Sequence, residues 1–279
     1  MSGMTEQNRH NVKTILEDVP PGFYVDSKWL TAQGITRSSV SDYTANGWLE
    51  HVAHGVYRRP LSSSFEQSAI DDWQVLVLSL QKIMGYTVHV GGLTALKRQG
   101  HGHYVSLSQE KDVFLYAEKL PGWVANVPLS APLTIRKPNL FTADAQGVQQ
   151  HRTPQGDAPW WQWYLQSATP ERAILEALNE LPDTVTFHTL DMAFQGLVNL
   201  SPRKLGPLLE ACKKVQVKRL FYVFAERHNH AWFKHLDKYQ VDLGAGDRSF
   251  VKGGKLHPKY RITVPPEYLP SATEAQNEF

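Results

Sequence analysis

The segment GITRSSVSDYTANGWLEHVAHGVYRRP, residues 34–60, constrains the fold more than any other stretch of the chain. Thr36 is a helix N-cap, with Ile35 before it and Val40 at the fourth helical position, the spacing of a hydrophobic staple. Val40, Tyr43 and Thr44 recur at i, i+3 and i+4 and turn inward, leaving Arg37, Ser38, Ser41, Asp42 and Ala45 outward. Asn46-Gly47 ends the helix, because both residues accept the left-handed geometry of a C-terminal cap. Two strands, Trp48–Val52 and Val56–Arg59, then pair around Ala53-His54-Gly55.

Upstream, residues 6–18 have the pattern of a first helix, stopped by Pro20-Pro21-Gly22. Phe23-Tyr24-Val25 leads into a second helix that starts at Asp26 or Ser27, has Trp29 and Leu30 on its apolar side, and turns at Gly34. Helix, helix-turn-helix, then hairpin is the layout of a winged helix-turn-helix. The outer face of the third helix is small and short-chained, so nothing bulky keeps it from base edges in the major groove. Arg58 and Arg59 sit on the returning strand, where a wing meets the phosphate backbone. The alternative is a wing-like unit used for protein contacts, which the pattern favours less than DNA binding.

Composition narrows the setting. At 279 residues, 42% hydrophobic and 20% charged, the chain is ordinary globular material with room for one large domain or two modest ones. Cys212 is the single cysteine, so no disulfide framework exists and a reducing compartment is expected. Val75–Leu80 is far too short an apolar run to cross a bilayer, and MSGMTEQNRH lacks the apolar core of a signal peptide. A cytoplasmic protein that uses no membrane is the expectation. The net charge of +2 is unevenly spread. Residues 1–60 carry six Lys/Arg and six Asp/Glu, whereas 201–260 carry thirteen against five, an excess of eight. Such an excess suits an anionic partner such as nucleic acid, or a solvated helical surface.

Beyond residue 60 the pattern divides. Leu61-Ser62-Ser63-Ser64 is the linker candidate, which makes 1–62 one domain and 63–279 another, strand-rich over 100–165 and helical over 168–240. Helical patterning runs from Phe65 to Met84 and from Leu93 to Gln99. Strands are expected at Tyr104–Leu107, Val113–Tyr116, Leu133–Ile135 and Trp160–Leu165, with a polar loop over 142–158. In SATPERAILEALNELP, Thr169 caps, Pro170 takes the first helical position, and Ile174, Leu175, Leu178 and Leu181 form the apolar stripe. Ser201-Pro202 repeats that start signal before RKLGPLLEACKK. VQVKRLFYVFAERH reads as a buried helix with basic edges, and HAWFKHL as a shorter one. The fold class is therefore α+β, an N-terminal winged helix followed by a larger mixed α/β domain.

No catalytic constellation assembles. His228, His230 and His235, with His101 and His103, lack a zinc-site spacing, so no metal is expected. Gly244–Leu256, GAGDRSFVKGGKL, looks like a phosphate cradle but fails the Walker pattern, since Leu256 replaces the Ser/Thr that would hold magnesium. It still offers Arg248, Lys252 and Lys255 to a nucleic-acid backbone, or forms a plain basic loop. Gly91-Gly92 before a helix could admit phosphate or close packing.

Taken in order, WLTAQGITRSSVSDYTANGWLEHVAHGVYRRP (29–60), GGLTALKRQGHGHYVSL (91–107), ATPERAILEAL (168–178), SPRKLGPLLEACKKVQVKRLFYVFAE (201–226) and DLGAGDRSFVKGGKLHPKYRITVP (242–265) make a chain that resembles the AbiEi-type antitoxins of bacterial type IV toxin–antitoxin systems. The resemblance covers about residues 10–265. It implies an N-terminal winged helix that represses the operon by binding inverted repeats in double-stranded promoter DNA. It also implies a C-terminal antitoxin domain acting, without a stable complex, against a nucleotidyltransferase-like toxin. No cofactor and no catalysis are implied. On that basis Arg37, Ser38, Ser39, Ser41, Asp42 and Tyr43 match the recognition helix and Arg58 and Arg59 the wing, with Lys28 and Thr36 as further DNA contacts. Lys213, Lys214, Lys218, Arg219, Arg248, Lys252 and Lys255 are candidates for an antitoxin or second nucleic-acid surface. Two other readings stay open: a stand-alone regulator whose C-terminal domain senses a small ligand, and an enzyme acting on nucleic acid through Gly244–Leu256.

Overall fold

The computed structural model describes residues 15, 17–61, 72–101, 112–142, 146–152 and 163–270. The chain is mixed α+β and divides into two compact units, one of residues 1–89, 110–137 and 150–166, the other of 90–109, 138–149 and 167–279.

In the first unit the opening elements are β1 (Tyr24–Asp26), α1 (Ser27–Ala32), α2 (Arg37–Ala45), β2 (Glu50–Ala53) and β3 (Val56–Arg58). The three strands form an antiparallel sheet in the order β1-β3-β2, the arrangement of a winged helix-turn-helix. Tyr24 lies opposite Arg58 and Asp26 opposite Val56, while a bulge interrupts the β2–β3 register between His51 and Ala53. β1 corrects the expectation that Phe23-Tyr24-Val25 merely approaches a helix. Three residues are too few to show strand periodicity, and the partner strand lies about thirty positions on. Of the expected first helix, Ile15, Glu17 and Asp18 are helical and Ile15 is buried; its earlier residues lie outside the described ones.

α1 begins where Asp26 accepts the Trp29 N–H at 2.8 Å. That carboxylate is 4% exposed, and its second oxygen accepts from Tyr86 Oη at 2.9 Å and Trp123 Nε1 at 3.2 Å. Burial, then the hydrogen bond to Asp26 and the Asp26 charge, push the Tyr86 phenol up to about 12. Tyr24 N–H donates to Ser79 Oγ at 2.9 Å. The winged helix is thus pinned to the segments that follow it in this unit. The contacts come from Ser79 in the π-helical turn Ser79–Ile83 that continues α3 (Asp72–Leu78), from Tyr86 after it and from Trp123; β4 (His89–Val90) follows and runs on into the second unit. β5 (Val113–Tyr116) pairs in parallel with β6 (Leu133–Arg136), Val113 opposite Leu133. The serines of the expected linker, residues 65–71 of the expected helix and the expected strand at 104–107 lie outside the described residues.

The second unit contains α4 (Gly92–Leu96), α5 (Pro170–Leu178), α6 (Phe187–Gly196), α7 (Pro202–Ala211) and α8 (Val215–His228), while β7 (Val148–Arg152) passes from it into the first unit after Gln149 and β8 (Tyr164–Ala168) enters it at Ser167. A short antiparallel pair, β9 (Lys255–Leu256) and β10 (Thr263–Val264), closes it. β4 meets β8 in parallel at Val90–Ser167. β7 replaces part of the polar loop expected over 142–158. It is the outermost strand of its sheet, beside β8, where one face and one edge meet solvent and VQQHR suffices. α5 starts as its capping residues dictate, Thr169 accepting from Arg172 N. Every residue from Glu171 to Leu178 is buried, which makes it the central helix of the unit. An aromatic cluster joins α6, α8 and the segments after it through Phe187, Phe194, Phe221, Phe224, Trp232 and Tyr268, with Phe194 stacked on Phe224 at 5.1 Å.

Three local outcomes differ from expectation. Ser201 does not cap α7; its backbone N–H donates instead to the buried Glu171 at 2.9 Å. α6 was not foreseen, although Thr186 caps it through the Thr189 N–H at 3.1 Å. HAWFKHL yields only one 3-10 turn, Phe233–His235. Gly206, inside α7, is explained by packing: a Cβ there would fall 2.3 Å from the Tyr239 ring.

Candidate nucleic-acid interface

α2 is presented as its caps dictate. Thr36 Oγ1 accepts the Ser39 N–H at 3.2 Å and lies 2.8 Å from Ser38 Oγ and 3.0 Å from Ser39 Oγ. Ile35 and Val40 close the staple, both buried. Asn46 Nδ2 donates to Asp42 O at 2.7 Å and ties down the last turn. Ser39 and Tyr43 turn inward, 6% and 1% exposed, and Tyr43 packs on Trp48 at 5.6 Å. Both side chains are therefore enclosed rather than part of the outward ridge. Arg37, Ser38, Ser41, Asp42 and Ala45 form the exposed ridge. Among the described residues the Arg37 guanidinium has no hydrogen-bond or ion-pair partner. Lys28 on α1 is exposed, with its ammonium 5.9 Å from the Tyr86 ring centroid.

The hairpin is seated by α1. Ser27 N–H donates to Gly55 O at 2.9 Å, and Gly55 takes φ +72° with Ser27 Oγ 3.2 Å from where a Cβ would lie. The two arginines do not reach outward as free charges. Arg58 donates to Glu50 Oε2 from Nε at 2.9 Å and from Nη2 at 2.6 Å. Arg59 Nη1 donates to Val19 O at 2.7 Å. His51 and His54 are the exposed polar side chains of the hairpin instead. Because the Arg58–Glu50 pair is 32% and 43% exposed, its stabilisation is ~0–1 kcal/mol. Arg58→Ala is expected to cost no more than that in urea unfolding and to weaken DNA binding less than Arg37→Ala. A larger loss on DNA than Arg37→Ala causes would show that Arg58 leaves Glu50 for a phosphate.

The basic residues of the second unit separate into different roles. Arg219, 2% exposed, donates from Nε to Leu243 O, from Nη1 to Gly246 O and Arg261 O, each at 2.7 Å, and from Nη2 to Gly244 O at 2.9 Å. It is a clamp on the glycine-rich loop. That loop therefore turns carbonyl oxygens inward, the opposite polarity from a phosphate cradle, which needs N–H groups. Lys218 is likewise buried, 5% exposed. Lys213, Lys214, Arg248, Lys252 and Lys255 are exposed, and Lys214 Nζ donates to Asn179 Oδ1 at 2.6 Å. A Cβ on Gly244 would lie 3.2 Å from Val215 Cγ2 and 3.9 Å from Arg248 Nη2, which gathers Arg248 to the start of α8.

The remaining constellations are structural or enclosed. Gly92 N–H donates to Glu176 Oε2 at 3.1 Å, so the Gly91-Gly92 turn serves packing. His228 Nε2 lies 2.8 Å from Asp191 Oδ1, and His230 Nε2 2.8 Å from Phe194 O. Among the described residues no group of three or more His, Cys, Asp or Glu is placed to hold a metal ion. A cavity of about 1100 Å³ is lined by Asp191, Arg227, His228, His257, Lys259 and Tyr268, among others. Its charges largely satisfy each other, Arg227 and His228 with Asp191, Lys259 with Glu226. Among the described residues no helix is long and apolar enough to cross a membrane.

Two family models match the chain. One, described as the AbiEi antitoxin N-terminal domain of transcriptional regulators, matches residues 8–107. The other, described as a transcriptional regulator, AbiEi antitoxin of a type IV toxin–antitoxin system, matches residues 110–265. No curated protein matches. Among solved structures, the RV2827C protein from Mycobacterium tuberculosis is similar in fold, with a TM-score of 0.56 at 16% identity over 94% of this chain and 92% of that one.

Proposed function

Given that the chain belongs to the AbiEi antitoxin family, transcriptional regulators of type IV toxin–antitoxin systems, we propose that it represses its own operon through the exposed ridge of α2. The observation that carries this is Arg37, exposed and without a partner among the described residues, on a ridge otherwise made of Ser38, Ser41, Asp42 and Ala45. A guanidinium there can donate two bonds to a guanine edge, Asp42 can accept from cytosine, and the serines permit close approach. Promoter DNA with inverted repeats is the partner, the two half-sites being read by two copies of the unit. Antitoxin activity belongs to the region after residue 62, acts against a nucleotidyltransferase-like toxin without a stable complex, and proceeds by binding rather than catalysis.

Co-expression with the neighbouring toxin gene tests the second half. Full-length protein should restore growth, and Arg37→Ala should restore it equally while derepressing a reporter driven by the operon promoter. Loss of rescue in Arg37→Ala, with the protein still folded and abundant, would show that the two activities are not separable in this way. A second reading, a ligand-sensing regulator, is favoured by the Asp191–Lys259 cavity. It predicts no rescue, together with operator affinity that changes when a small molecule fills that cavity.

A further inference from the structure

Among the described residues, the hairpin of β2 and β3 has no unclaimed arginine to offer a phosphate. Residues 1–60 carry six Lys/Arg and six Asp/Glu, so the winged helix has no surplus charge to fall back on. Arg58 is held by Glu50 and Arg59 by Val19 O, while Arg37 belongs to the ridge of α2. What the hairpin presents instead is His51 on β2 and His54 in its turn, both exposed. Among the described residues neither imidazole has a hydrogen bond or an ion pair. His51 packs edge-to-face with the Tyr57 ring, centroids 5.6 Å apart.

The groups around them leave both rings free to take up a proton and to meet an anion. Neighbours along a strand point to opposite faces, so Glu50 and Arg58 pair on the face away from His51 and Tyr57. Asp26, which lies opposite Val56 near the turn, is buried and bonded to Trp29, Tyr86 and Trp123. From α1 the turn meets Ser27, whose N–H and hydroxyl both donate to Gly55 O, at 2.9 and 3.2 Å. Those two bonds fix the His54 turn against the start of α1. Lys28 stands exposed there, with no hydrogen bond or ion pair among the described residues.

A phosphate binds an imidazolium far more strongly than a neutral imidazole, because the charged ring donates a stronger bond and displaces a counterion. Histidine is the side chain that makes this change between about pH 5 and 8. We propose that the wing holds the DNA backbone through protonated His54 and His51, with Lys28 beside them, while Arg58 and Arg59 take no part. This rests on the reading of DNA by α2 and supplies the backbone contact that accompanies it. Phosphates favour the protonated rings, so binding takes up protons. The added affinity grows as pH falls and is lost as pH rises. Phosphates carry no sequence, so the gain is the same on every duplex.

Full-length protein is titrated onto the DNA upstream of its own gene and onto a scrambled duplex, at about pH 6 and about pH 8, across a range of salt. Wild-type affinity for both duplexes is expected to be about tenfold higher at the lower pH, with a log–log salt slope steeper by roughly one to two. His51→Gln/His54→Gln, at two exposed positions, should bind at the lower pH as the wild type does at the higher one. His54→Arg carries its charge at both pH values and should bind both duplexes severalfold tighter than the wild type at the higher pH. His188→Gln, exposed on α6, should keep the full pH dependence. A wild type that prefers its own duplex yet binds equally at both pH values overturns the proposal and leaves the reading by α2 standing. Full pH dependence in the double histidine variant overturns it as well. If neither duplex is bound at either pH, the proposal falls together with the reading of DNA.

Discussion

Arg172→Ala is expected to cost about 3–5 kcal/mol in urea unfolding, the largest effect of any single change considered, because it strands a buried carboxylate. Arg172 and Glu176 are 0% and 1% exposed and paired at 2.6 Å on α5. The guanidinium also donates to Gln146 O at 2.6 Å and lies 4.7 Å from the Phe141 ring centroid. The second carboxylate oxygen of Glu176 takes the Gly92 N–H. One pair thus joins α5, the start of α4 and the chain before β7. Removing both charges together should be milder than removing one. Arg172→Met/Glu176→Gln is expected to be more stable than Arg172→Ala, since no unpaired ion then remains in the core. A cost below ~1 kcal/mol for Arg172→Ala would mean that water reaches Glu176.

Arg219→Ala is expected to cost about 2–4 kcal/mol and to make residues 243–254 the first site of proteolysis. Bonds from a charged donor contribute roughly 1.5–3 kcal/mol each, but the freed carbonyls of Gly244 and Gly246 sit at the surface and recover part of the loss from water. Arg219→Lys should restore little. An ammonium is a point donor, whereas the planar guanidinium reaches four carbonyls at once. If Arg219→Ala melts as the wild type does and resists protease equally, the loop is held by the Arg248–Ile262 bridge and the β9–β10 pair instead.

These two arginines also mark where the sequence stops being readable. Signals that act within one turn were legible: the Thr36 cap, the Ile35–Val40 staple, the Asn46-Gly47 stop and the Thr169-Pro170 start all appear as their local chemistry requires. Pairing across distance was not. β1 is too short to announce itself, and β7 is too polar, since an outermost strand needs no apolar run. Charged residues inside a helix read as solvent-facing, so Glu171, Arg172 and Glu176 passed unnoticed although α5 buries all three. The same limit acted on the basic residues. Lys218 and Arg219 are neighbours in VQVKRL, but about 100° of helical rotation separates them. Arg219 meets a loop that returns 24 or more residues later, whereas Lys218 is buried without sharing that loop's carbonyls. At the hairpin, the two strands pair as the sequence indicates. Glu50 on the partner strand, opposite Arg58, is what claims that guanidinium, a pairing across the hairpin that the sequence reading did not make.

Base reading by α2 is open to one direct measurement. Full-length protein is titrated onto the DNA immediately upstream of its own gene and onto a scrambled duplex of equal length, across a range of salt. The wild type should prefer its own sequence, with affinity falling steeply as salt rises. Arg37→Ala should remove ~1–3 kcal/mol of that preference while the affinity for scrambled DNA and the salt slope change little, because a base contact rather than a phosphate contact has been lost. A wild type that binds both duplexes alike, or an Arg37→Ala variant that keeps the full preference, would contradict it.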